Sequence, residues 1–426
     1  MSPIQDHPLR YELANELHAR PFPALTGPAH ALCIAIKQPE NAAGRDRALD
    51  RAHLLSLLDR FGATHPGPDA THYFGKLGRH RLKWESHTEF VTYTLFVEGV
   101  MERPFDTAAF DVFPEDWLSD APGLCITSMM VRVELAKSDE ETAAHLAEWF
   151  VPESLAASKV LDASAVVAGD FRIDAAGHMR FAVFLQPGVG ARRAGRIVQR
   201  ITEIEVYKSM SMLGLSRARS LSSELAATDQ KLTHLVGGMG AEGRSSEETL
   251  EELLAASAEL EGQLAQTSFR FGATGAYEAL VNQRIEVLRE ERFLGRQTFR
   301  EFMMRRFDPA MRTVKAAERQ LVTMAERATR AANLLRTRVD VDRSGQNQRL
   351  LASMDERAAL QLRLQKTVEG LSVVAISYYA VSLANYMLAP AAKYANISKT
   401  AMAAAITPLV ILGVWKMVHS IRKKME

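Results

Sequence analysis

The chain has 426 residues, a formal net charge of +1, 47% apolar residues and 24% charged residues. It is too long for one small core, too apolar for extended disorder, and lacks the positive balance that draws a protein to nucleic acid. Cys33 and Cys125 lie in apolar runs outside any CxxC pattern, which argues against a disulfide framework or a zinc site and predicts reduced, buried thiols.

Met1 to Arg20 is polar and has no apolar h-region, so no signal peptide is expected. Leu9, Leu13 and Leu17 form the stripe of a short amphipathic helix ended by Pro21. Ala31 to Ile36 reads as a buried strand. Leu54, Leu57, Leu58 and Phe61 mark one face of a helix stopped by Gly62. Thr71 to Val97, rich in Tyr, Phe, Thr and Val, predicts two strands, and Leu124 to Leu135 another. Ser138 with Glu141 makes a capping box opening a helix through Phe150. Val160 to Val167 and Met179 to Gln186 are expected as strands joined across the Asp174 to Gly177 turn. Residues 1–190 therefore read as an α+β cytoplasmic domain.

After Gly190 the strand signals stop. Residues 191–343 read as long helices with an acidic hairpin, broken by the glycines between Val236 and Arg244 and restarted by a Ser245 and Glu248 capping box. Asp308-Pro309 fits an N-cap followed by Pro at the first helical position. Residues 344–392 read as a stalk helix starting near Ser344 and running into a first membrane span.

Gly370 to Ala392 carries no charge and is long enough to cross a bilayer core. Residues 393–399 form a connector, and 400–426 a second span with a basic tail, provided that Lys399 and Lys416 snorkel toward the interfaces. Arg357, Arg363 and Lys366 precede the hairpin, and Arg422, Lys423 and Lys424 follow it. The positive-inside rule then puts both termini in the cytoplasm, at the cytoplasmic (inner) membrane.

Several stretches resemble an uncharacterised bacterial family of membrane-anchored proteins, the domain-of-unknown-function 3422 family. They are Glu16-Leu17-His18-Ala19-Arg20-Pro21-Phe22, His72-Tyr73-Phe74-Gly75-Lys76-Leu77-Gly78, Trp84-Glu85 with His87-Thr88-Glu89-Phe90, and Thr367-Val368-Glu369-Gly370-Leu371-Ser372. The resemblance implies no activity. The order of elements also resembles the CorA-type magnesium transporters, which implies a homo-oligomer whose first spans line a pore. That family carries Gly-Met-Asn after its first span. Here Tyr394-Ala395-Asn396 stands at that place, so only Asn396 corresponds, and the connector has lysines where a divalent cation needs acids.

Thr367, Tyr378 and Asn385 share a narrow helical arc, with Ser382 nearby. They read either as a pore-lining row or as hydrogen-bonding glue between helices. Glu85, His87 and Glu89 alternate along an expected strand. They would supply a metal or ligand site, for instance for a divalent cation, or else form its solvated outer face. His18, Arg20, His72, Lys76 and His80 are candidates for an anion pocket. Gly188-Val189-Gly190 lacks the third glycine of a dinucleotide fingerprint, and no catalytic constellation emerges, so the reading favours a non-enzyme. The expected function is a membrane-anchored homo-oligomer that conducts or senses an ion. The alternatives are a membrane-tethered enzyme or ligand sensor using the His/Glu-rich domain, and a non-conducting scaffold.

Overall fold

A computed structural model describes residues 4–16, 22–238, 245–394 and 398–425. His18, Arg20, Asn396, the glycine turn after Gly238, and Leu17 with Pro21 lie outside the described residues. The chain divides into two compact units, one from 1–242 and 251–331, the other from 243–250 and 332–426.

The first unit starts with α1 (Arg10–Glu16), β1 (Ala29–Lys37) and α2 (Arg47–Arg60), whose N-cap Asp46 accepts from the Ala48 amide. Three strands follow, β2 (His72–Leu77), β3 (His80–Ser86) and β4 (Phe90–Glu98), where two were expected. The first break is a tight turn at Gly78, whose φ of +58° suits glycine. The second, residues 87–89, is discussed below. Next come α3 (Glu115–Ser119), β5 (Leu124–Leu135) and α4 (Asp139–Trp149). Ser138 caps α4 as expected, accepting from the Glu141 amide at 3.1 Å. The expected strand from Val160 to Val167 is instead the end of β6 (Ala156–Val160), a turn, and the start of β7 (Ala165–Ile173). Leu161, Asp162 and Ala163 all take positive φ there. β8 (Met179–Leu185) then pairs antiparallel with β7.

These strands form one nine-stranded mixed sheet in the order β2-β3-β4-β1-β5-β8-β7-β6-β9, parallel only between β5 and β8. The ninth strand, β9 (Glu291–Arg292), comes from beyond residue 190 and pairs with β6. Alternation along β1 sends Leu32, Ile34 and Ile36 into an aromatic-rich core that includes Leu54, Leu58, Trp84, Tyr93, Trp117 and Trp149. Ala31, Cys33 and Ala35 point the other way and are also buried. Small side chains on that face let α5 (Ala191–Gly238) pack against β1, β5 and β8.

α5, α6 (Ser246–Glu286) and the start of α7 (Phe299–Tyr394) make a three-helix bundle. Asp229 of α5 meets Arg327 of α7 at 3.2 Å, and Glu278 of α6 meets Lys315 of α7 at 2.7 Å. The acidic helix is capped as expected, Ser245 accepting from the Glu248 amide at 3.1 Å. No helix starts at Asp308 or near Ser344, because α7 runs unbroken through both. Its cap is a reciprocal box ten residues earlier than Asp308. Thr298 accepts from the Glu301 amide at 3.1 Å, and Glu301 from the Thr298 amide at 3.0 Å.

The second unit holds the rest of α7 and α8 (Lys399–Met425). α7, within Phe299–Pro390, and α8, within Lys399–Ile421, each contain an 18-residue stretch of mean hydropathy 1.4 and 1.8. Only 6% of either stretch is buried, unlike the core helix of a soluble protein. Both helices are long and apolar enough to cross a membrane. One reading fails in the first unit: Cys125 is exposed, near the start of β5, whereas Cys33 is buried.

Candidate functional site

Alternation along β3 puts Leu82 and Trp84 in the core and turns Lys83 and Glu85 to the face that α5 covers. β4 sets Thr94 opposite Lys83 and Thr92 opposite Glu85, and β1 sets Cys33 opposite Thr94. From α5 come Gln199, Thr202, Glu203, Val206 and Tyr207, a stripe on one helical face. Together they line a small cavity of about 20 Å³, room for about one water or small ion.

The pocket is unusually polar for its depth. Lys83 Nζ lies 2.9 Å from Glu85 Oε2, with the side chains 6% and 14% exposed. Gln199 Nε2 donates to Glu203 at 2.7 Å, which turns Gln199 Oε1 away from that carboxylate. That oxygen is buried and has no hydrogen-bond partner among the described residues. Glu203 also takes the Arg284 guanidinium from α6. Thr94 Oγ1 donates to Cys33 Sγ at 3.4 Å. Burial pushes the Cys33 thiol up to about 12, so it stays protonated at neutral pH and is no nucleophile.

Glu85, His87 and Glu89 do not share one strand face, because β3 ends at Ser86. The turn at 87–89 has a cause far off in the sequence. The Arg45 guanidinium, 1% exposed, donates to the carbonyls of His87, Thr88 and Phe90 and to Asp50 at 2.7 Å. This clamp holds His87 in the pocket wall, stacked on Phe90 at 4.3 Å and edge-on to Tyr207 at 6.3 Å. Glu89 lies outside the pocket and is fully buried. It receives the Arg270 guanidinium and the Tyr277 hydroxyl, the latter at 3.2 Å, both from α6. Burial, then the Glu89 charge, hold the Tyr277 hydroxyl far above its ordinary pKa. Among the described residues no group of three His, Cys, Asp or Glu converges as a metal cage.

The anion candidates are spread out. His72 pairs with Glu85 at one end of the β2–β3 hairpin, and His80 pairs with Leu77 at the other, about 17 Å away at the strand rise. Lys76 is exposed between them. Thr367, Tyr378, Ser382 and Asn385 all lie on α7. Thr367 Oγ1 donates within its own helix to the Arg363 carbonyl at 2.9 Å, and Tyr378 is 70% exposed. Asn385 Oδ1 and Ser377 Oγ are buried with no hydrogen-bond partner among the described residues. The sequence reading missed Gln199, Glu203 and Tyr207. The spacing of 199, 202, 203, 206 and 207 was the available signal, and only the partner sheet gives it meaning.

A mixed α+β sheet with a helical bundle, continued by two helices apolar enough to cross a membrane, defines the class of protein. Within that class, the chain belongs to the family described as Protein of unknown function (DUF3422), which matches residues 5–425. Neither a curated protein nor a solved structure matches the chain. The expected likeness to CorA-type transporters is therefore not supported.

Proposed function

We propose that the chain is a membrane-anchored homo-oligomer whose α+β unit senses an ion or small polar solute at the cytoplasmic face of the inner membrane. The observation that carries this reading is the exposed apolar surface of α7 and α8. Leu371, Val374, Leu383, Met387, Leu409 and Leu412 are each more than 59% exposed. Water tolerates no such continuous surface, and lipid does. Basic residues before the apolar stretch of α7 and after that of α8 favour a cytoplasmic location for both ends. Asn385, an amide within the apolar part of α7, favours association with another copy through hydrogen bonds between helices. The sensing step rests on the Lys83–Glu85 pair and the unpaired Gln199 oxygen.

Orientation is tested with an impermeant maleimide on intact cells. A cysteine replacing Ser398 should label from outside, whereas exposed Cys125 should label only after lysis. The reverse pattern would contradict the proposed topology.

Ion conduction is a second reading, supported by the polar groups Thr367, Tyr378, Ser382 and Asn385 on one transmembrane helix. Purified protein in liposomes should then pass potassium or magnesium, and Asn385→Leu should reduce the flux. A monomer in detergent with no flux would remove this reading.

A further inference from the structure

A second pocket lies on the opposite face of the sheet, between α2 and the start of the β2–β3 hairpin. Its volume is about 480 Å³, in the range of small-molecule sites. Arg47 and Arg51 stand one helical turn apart on α2, and Thr71, Trp84 and Ser86 form the facing wall. Arg51 Nη2 donates to the Pro66 carbonyl at 3.2 Å. Its Nε is buried and has no hydrogen-bond partner among the described residues. Ser86 Oγ accepts from Arg45 Nη2 at 3.3 Å, which leaves the serine hydrogen available to donate. Arg45 itself is neutralised by Asp50 behind the wall. The one acid in the lining is Asp69, which is exposed.

We infer that this pocket binds a small phosphomonoester with an apolar or planar body. Two guanidinium groups and two hydroxyls face one space, a surplus of donors over acceptors that suits an oxyanion. A carboxylate offers two oxygens to those donors and a phosphoryl group three. Leu55, Ala52 and Pro68 give the organic part an apolar surface. The inference concerns a site distinct from the Lys83–Glu85 pocket and does not depend on membrane anchoring.

The experiment titrates full-length protein, in nanodiscs of neutral phosphatidylcholine, with phenyl phosphate and with benzoate by calorimetry. Phenyl phosphate should bind more tightly than benzoate. Arg51→Gln and Arg47→Gln should each weaken it about tenfold, and Asp69→Asn should strengthen it. Vesicles containing phosphatidic acid separate the two natural sources: competition marks a lipid headgroup, and its absence a soluble ligand. Thermal midpoints of the variants confirm that they fold. Lack of phenyl phosphate binding to the wild type, equal affinity for benzoate, or unchanged affinity in a folded Arg47→Gln/Arg51→Gln variant would each overturn the inference.

Discussion

Arg45 does more for the candidate site than any residue that lines it. It is nearly inaccessible, yet its guanidinium ties α2 to the turn that carries His87 and Glu89. Removing it strands Asp50, whose carboxyl burial already holds above its ordinary pKa while Arg45 pulls it back. Arg45→Met should cost about 3–5 kcal/mol, measured by chemical denaturation in detergent. Arg45→Met with Asp50→Leu should recover part of the loss, because no lone charge remains buried. Equal loss in both variants would contradict the clamp. Three buried histidines and the half-buried His178 predict a pH dependence. Burial lowers the pKa of His53, His30, His80 and His178 below 6.5 in the fold. Near 6.5 the unfolded chain then binds more protons than the folded one, so stability falls as pH drops through that value. Asp50 and Glu290, with raised pKa values, act in the opposite sense from a lower starting point of 3.8 and 4.5. The thermal midpoint should therefore fall between about pH 7.5 and about pH 6. A midpoint that rises over this interval would contradict the burial of neutral imidazoles.

At the scale of elements, local signals were read correctly wherever the cause was local. β1, β5, β8, α2 and the caps at Ser138 and Ser245 follow from alternation, apolar stripes and capping boxes. The breaks at 87–89 and 161–163 contain no Gly, Pro or Asn, and neighbours distant in sequence hold the first of them. Asp308-Pro309 carried a strong local cap signature, but Met303, Phe307 and Met311 are buried on both sides of it, and packing carries the helix through the proline. Glu85 and His87 were legible as candidates, whereas the half of the pocket on α5 required knowing which helix covers the sheet. The crossing of α5 and α6 offers a sharp test. A Cβ on Gly214 would stand 2.2 Å from Thr274 Oγ1 and 3.0 Å from Thr274 Cβ. Gly214→Val should destabilise the bundle by about 1–3 kcal/mol through overpacking, and Thr274→Ala should restore part of it. A neutral Gly214→Val, read by the unfolding midpoint, would mean that the two helices do not cross there.

For the whole molecule, the account rests on two helices whose apolar surface finds no cover in their own chain. The first unit has a core, a capped bundle and buried ion pairs. The second unit instead leaves large side chains open along α7 and α8, with Trp415 at 56% exposed near the basic tail. That division makes membrane anchoring the central claim, on which orientation and self-association depend. The most direct measurement is alkaline carbonate extraction of membranes from cells producing the full chain, beside a variant ending after Lys366. The account predicts that the full chain stays in the pellet and leaves it only with detergent, while the shortened chain is released as a folded soluble protein. Release of the full chain into the alkaline supernatant would contradict it.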